Sequence, residues 1–184
     1  MMLKTHILIG QKVFDNIKEL YNMKQLHRTS FIIGNIKPDI VYRLLIKSHC
    51  MKDSLYFVVN EINRLLSSEV EDIKEFSSSL GVINHFLSDF FCSAHYYQSE
   101  EFNGSINHFK YEMKLHQAFI KMERQKLLSL KELNINRYVK DSFLSSIYFL
   151  ENEYKNQMPS IETDIIYALR GTTIISIFIL ITQL

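Results

Sequence analysis

Apolar positions along this chain recur at three- and four-residue spacing, and little interrupts them: there are only 5 Gly and 2 Pro in 184 residues. That period belongs to the α-helix, and few breakers leave long helices intact. Thr5 reads as the N-cap of a first helix reaching about Tyr21. The stretch from His27 to Pro38 contains Gly34 and Pro38 and reads as a structured loop rather than a helix interior. A short helix over Ile40 to Ile46 follows, and Asp53 caps another that runs to about Ser67. A long helix is predicted from roughly Glu71 to Tyr97. Gln98 to Ser105, with Asn103-Gly104, reads as a turn. Helices over about Ile106 to Leu127 and Asn136 to Asn156 come next, and Met158-Pro159-Ser160 restarts the chain at about Ile161. Six or seven helices with short connections make an all-α, bundle-like domain spanning residues 1–184. No internal repeat, linker or low-complexity segment is visible.

The last 14 residues, Gly171 to Leu184, carry no charge and are mostly apolar. They fall short of the ~20 a membrane span needs, so a buried terminal helix or strand is the preferred reading over a membrane-surface or partner-binding tail. Charge changes the picture little. With 21 basic and 20 acidic residues, the net charge of +1 gives no reason to expect duplex nucleic acid as a partner. Thirteen Phe, 10 Tyr and no Trp predict an aromatic core. Cys50 and Cys92 make no disulfide framework and read as buried free thiols, in keeping with a reducing compartment. The opening Met-Met-Leu-Lys-Thr-His lacks the apolar core of a signal peptide, so a cytoplasmic location is expected.

Chemistry enters with His85, Asp89, His95, His108 and Glu112, the pattern H-x3-D-x5-H-x12-H-x3-E. Five metal-capable side chains lie within 28 residues. Two pairs have i,i+4 spacing, which puts both members on one helix face where they can grip one ion. Histidine with carboxylate is a donor set that zinc favours. One such pair alone is usually a surface or capping interaction, with about one chance in ten of being a metal site. Two pairs with a histidine between them, set in the apolar run Val82-Ile-Asn-His-Phe-Leu-Ser-Asp-Phe-Phe, are harder to read that way, because buried ionisable groups need partners. On one continuous helix Asp89 lies about 40° around from His85, while His95 lies about 9 Å beyond Asp89 and roughly 100° off that face. His95 would then hold a second ion, completed by His108 and Glu112. His116 and His27 read as solvent-exposed, and Lys121 to Lys126 as a solvated helix face.

Taken with its surroundings, this pattern resembles the bacterial zinc-dependent phospholipase C family. The likeness rests on Gly81-x3-His85-x3-Asp89-x5-His95 and His108-x3-Glu112. It extends to Thr5-His6 leading through Ile7, Leu8 and Ile9 into Gly10, to Gly34-Asn-Ile-Lys-Pro-Asp39, and to His49. It implies an all-α protein holding three zinc ions in a cleft. Asp39, His49, His85 and Asp89 would bind one; His95, His108 and Glu112 a second; His6 and a bridging Asp89 a third. Asp39 would act as general base or as ligand. Single-strand-specific zinc nucleases share the arrangement, but Glu rather than Asp as last ligand and the short His95–His108 gap favour the phospholipase branch. In secreted members the third zinc is also held by an N-terminal Trp; here Met1 or Met2 would have to take that place.

The resemblance implies a zinc-dependent hydrolase of phosphate esters, with phospholipid as the expected substrate. Bound zinc lowers the pKa of water toward ~7 and neutralises phosphoryl oxygens. The alternatives are a phosphodiesterase on single-stranded nucleic acid at the same cluster, and a non-catalytic metal-stabilised module that binds a partner or membrane through its apolar C-terminus.

Overall fold

In a computed structural model, residues 1–21, 26–96 and 105–183 are described, and among them every regular element is helical. The elements are α1 (Leu3–Tyr21), α2 (Arg28–Gly34), α3 (Lys37–Ile40), α4 (Tyr42–Leu45), α5 (Met51–Ser67), α6 (Ile73–Phe90), α7 (Ser93–Tyr96), α8 (Ser105–Arg124), α9 (Leu130–Leu133), α10 (Phe143–Lys155) and α11 (Ile161–Thr182), with a 3-10 turn at Ile135–Arg137. The all-α class follows the apolar periodicity. The larger number of helices arises because several are single turns.

α6 is the axis of the structure. It is buried on every side from Phe76 to Phe90 except at Ser79 and Val82, and it packs against α1, α2, α5 and α11. The closest approach is to α2. A Cβ on Gly34 would collide with the Ser78 carbonyl, and a Cβ on Gly81 with the Phe31 carbonyl. Only glycine at both positions lets the two backbones touch. α11 closes the other side, with Ile174, Ile175, Ile177, Ile179 and Leu180 all in the core. It is 22 residues long and apolar enough to cross a membrane, but 72% of its most apolar stretch is buried in the protein. The terminal segment is therefore a core helix. The helix begins ten residues before the apolar run and so is long enough to span, and its burial rather than its length makes it a core helix.

Several boundaries differ from the sequence reading. Residues 28–34 are helical because His27 caps them, its Nδ1 accepting from the Ser30 N–H. α1 begins before Thr5, whose N–H donates to the Met2 carbonyl. α5 begins at Met51, so Asp53 lies inside its first turn, where it accepts from the Ser48 hydroxyl. The region read as one helix from Asn136 is a 3-10 turn followed by α10, which Ser142 caps. The predicted turn over 98–104 lies outside the described residues. The most consequential difference is that the long helix stops at Phe90. Phe91 leaves helical geometry (φ −108°, ψ 31°), and His95 sits on the separate turn α7.

Candidate metal centre

The fold gathers side chains from α1, α3, α6, α7, α8 and the α4–α5 connection around one carboxylate. Asp89 is wholly buried on α6, and its oxygens face nitrogens on every side. Its Oδ2 accepts from His49 Nδ1 at 2.7 Å and lies 3.4 Å from His85 Nε2. Its Oδ1 lies 3.5 Å from His6 Nε2 and 3.6 Å from His95 Nε2. The His85–Asp89 pairing is the i,i+4 geometry anticipated for one helix face. His95 is not carried 9 Å away, because the break after Phe90 turns the chain back and returns its imidazole to Asp89.

The metal-capable side chains form three groups: His6, His85 and Asp89; Asp39, His49 and His85; and His95, His108 and Glu112. In each, the nearest donor atoms lie within 4.8 Å of one another. On α8, His108 Nε2 is 2.9 Å from Glu112 Oε1, again at i,i+4, and His95 Nε2 is 3.4 Å from the same oxygen. His85 Nε2 lies 3.7 Å from Asp39 Oδ1. The Met1 amino nitrogen enters the same cluster, 2.5 Å from Asp89 Oδ1, 2.8 Å from His95 Nε2 and 3.2 Å from Glu112 Oε1. A backbone amine carries no side-chain signature; only the family resemblance pointed to Met1 or Met2 at this place.

Hydrogen bonds to the far ring nitrogens set the tautomers. His85 Nδ1 donates to the Asn35 carbonyl at 2.8 Å, which leaves a lone pair on Nε2. His6 Nδ1 pairs with the Ser88 hydroxyl, which itself donates to the His85 carbonyl. Two atoms of the cluster are buried without a hydrogen-bond partner, His6 Nε2 and Asp39 Oδ2. Lone pairs of imidazoles and carboxylates converging in a buried cluster repel one another unless positive charge lies among them; the Met1 ammonium meets Asp89 and Glu112 but leaves His6 Nε2 and Asp39 Oδ2 without a partner. These residues fit a divalent metal with nitrogen and oxygen ligands.

The electrostatics agree. Burial lowers the pKa of His85 and of His95, so both are held neutral, as a metal ligand must be. Burial raises Asp39. For His49 burial works downward, but Asp89 accepting its proton wins and the pKa is raised. Burial would also raise Glu112, yet His95, the Met1 amine and His108 together bring it down to about 2. The Met1 ammonium, opposed by burial, is held by Asp89 and Glu112 with a pKa of about 11. Cys92 is buried with its pKa raised by burial, and Cys50 is buried as well.

Asp164 is the residue that sequence reasoning missed. Buried on α11, it accepts from the Ser93 N–H at 2.6 Å, the Ser93 hydroxyl at 2.9 Å, the Tyr154 hydroxyl at 2.7 Å and the Tyr111 hydroxyl at 2.7 Å. Ser93 precedes His95 by two residues and Tyr111 adjoins Glu112, so Asp164 fixes the backbone behind both. The available signal was its place on the apolar face of α11, in register with Ala168, Thr172 and Ile175. An acid in a first turn is ordinarily read as a dipole partner instead. His116 is half-buried rather than exposed, with Nδ1 3.2 Å from Thr5 Oγ1, and His27 is half-buried as a helix cap.

The sequence model of the family described as zinc-dependent phospholipase C matches residues 5–161, which takes in His6, Asp39, His49, His85, Asp89, His95, His108 and Glu112. The chain belongs to the zinc-dependent phospholipase C family. No curated protein and no solved structure matches it. Membership agrees with the all-α architecture, and it makes the converging histidines and carboxylates those of a zinc-dependent family.

Proposed function

We propose that this protein hydrolyses the phosphate ester of a phospholipid at a polynuclear zinc centre. The observation that carries the reading is the convergence of three donor groups on Asp89, with neutral imidazole nitrogens turned inward and two buried atoms unpartnered. Asp39, His49, His85 and Asp89 would hold one ion, and His95, His108 and Glu112 a second. His6 and Asp89 would hold a third, and the Met1 amine beside Asp89 could join them only by giving up the proton it holds there without metal. Zinc so held supplies Lewis acidity toward the phosphoryl oxygens and an acidified water. Asn35 and Ser88 fix His85 and His6 in the tautomers that face inward. Asp39, half-buried at the edge of the cluster with its pKa raised by burial, would act as ligand or as acceptor of the water's proton.

The test couples metal content to turnover. Purified protein is expected to hold at least two zinc equivalents and to cleave a phosphatidylcholine analogue in preference to single-stranded DNA. His85→Ala is expected to lose zinc and turnover together while keeping its helical circular dichroism. Metal-free protein of native helicity, or preference for the nucleic acid, would overturn the reading.

A further inference from the structure

Beside the metal centre the surface is unusually apolar. Between the two candidate ligands Asp39 and His49, five of seven consecutive residues are exposed hydrophobics: Ile40 (58%), Val41, Tyr42 (75%), Leu45 and Ile46 (66%). Scattered exposed hydrophobics need no explanation, but a run of them packed into two helical turns does. On the other side of the centre, Phe109 and Met113 follow His108 and Glu112 on α8 and are also exposed. His95 links the two sides, its ring 5.7 Å from His49 and 4.8 Å from His108.

Charge says what covers this surface. From residue 40 to residue 52 the side chains include Arg43, Lys47 and Lys52 and no carboxylate. On α8 from Ser105 to Met122 the only acid is Glu112, which belongs to the cluster, while Lys110 and Lys114 are exposed. Both segments thus carry more basic than acidic side chains, although Glu61 on α5 lies beside Val41 and Leu44. Exposed aliphatic and aromatic groups interleaved with Lys and Arg suit the interface of a bilayer that carries anionic lipid, where apolar groups enter the headgroup region and cations meet phosphate.

We infer that residues 40–47, with Phe109 and Met113 across the metal centre, form the face by which this protein lies on an anionic phospholipid bilayer. Docked this way, the metal centre opens onto the headgroups. The inference builds on the lipid substrate proposed above, but the surface is argued from its own residues.

The experiment is cosedimentation of the full chain with vesicles of phosphatidylcholine, with and without phosphatidylglycerol, alongside turnover of a water-soluble short-chain phosphate ester. Ile40→Ser/Tyr42→Ser/Ile46→Ser is expected to lower partitioning into both vesicle types at least tenfold and to leave soluble turnover unchanged. Arg43→Glu is expected to lower partitioning about tenfold on the anionic vesicles, with little effect on the neutral ones. Three results would overturn the inference. In one, vesicle binding is the same in the triple variant. In another, soluble turnover falls in parallel with binding. In the third, the wild type ignores vesicles but dimerises through this face, with the dimer lost in the variant. Surface-dependent vesicle binding without turnover of any phosphate ester would remove the hydrolase reading and leave the docking face standing.

Discussion

Ile174–Leu180 on α11 and Ile40–Ile46 on α3 and α4 are both largely apolar runs, yet the first is in the core at every position but Phe178 while the second stands largely in solvent. Length and continuity separate them. α11 is one unbroken helix of 22 residues, so its side chains spread around a cylinder that α1, α5, α6, α8 and α10 can cover. The other run is cut in two at Val41, whose extended backbone (φ −97°, ψ 113°) separates two four-residue turns. Two turns that short present no continuous stripe for a neighbour to cover. Hydrophobicity alone does not tell core from surface; the second run lies between the candidate ligands Asp39 and His49, and the first is scaffold.

The same charge placed in each run is expected to have very different costs. Ile175 is fully buried, and Ile175→Asp puts an unpaired carboxylate where nothing can solvate it. The expected cost exceeds about 4 kcal/mol, a large share of the ~5–15 kcal/mol that holds a typical domain. Ile46→Asp is expected to change stability by no more than about 0.5 kcal/mol. Urea unfolding followed by circular dichroism measures both. Equal costs would mean that the exposed run is also core.

The next largest effect concerns what α11 does beyond filling space. Asp164→Ala leaves the Ser93 N–H and the hydroxyls of Ser93, Tyr111 and Tyr154 without their shared acceptor. A loss of about 3–5 kcal/mol is expected. Zinc affinity is expected to fall with it, because α7 and α8 carry His95 and Glu112. Asp164→Asn retains one carbonyl acceptor and is expected to recover part of both. Unfolding and zinc titration on the same samples distinguish this from simple core damage: Ile175→Ala should lower stability without a matching loss of zinc affinity.

This network also explains what the sequence showed and what it hid. The helical class and the His85–Asp89 and His108–Glu112 pairs were legible because helical periodicity and i,i+4 spacing are local. The break after Phe90 was not. Phe91-Cys92-Ser93 contains no Gly or Pro, and the chain leaves the helix where Asp164, 71 residues further on, captures the Ser93 N–H. A tertiary acceptor thus overrode local propensity, and with it the inference that His95 points away from Asp89. The contact of α2 with α6 was hidden for a similar reason, since Gly34 reads as a loop residue until Gly81 is seen opposite it. The burial of the terminal segment was legible from its length and composition, but the exposure of residues 40–46 was not, because they too read as an apolar stretch.

The smallest effect tests the rim's place in the chemistry. His49 closes the exposed segment, and without metal its pKa lies above 6.5, with Asp89 outweighing burial. A raised folded-state pKa means that the His49–Asp89 pair contributes its full stability below about pH 6.5 and loses it as pH rises through the folded value. Zinc needs the neutral imidazole, so His49's contribution to zinc affinity runs the other way, strengthening by up to about tenfold per pH unit over the same window. Metal-free protein is therefore expected to become less stable across the interval in which zinc binding becomes tighter. His85 and His95, already held neutral, add nothing to that slope. Zinc titrations at several pH values, compared with His49→Gln, isolate the effect: the variant binds more weakly throughout, with a flatter dependence on pH. An unchanged slope would place His49 outside the centre and leave the segment from Ile40 to Ile46 a rim without a catalytic neighbour on its C-terminal side.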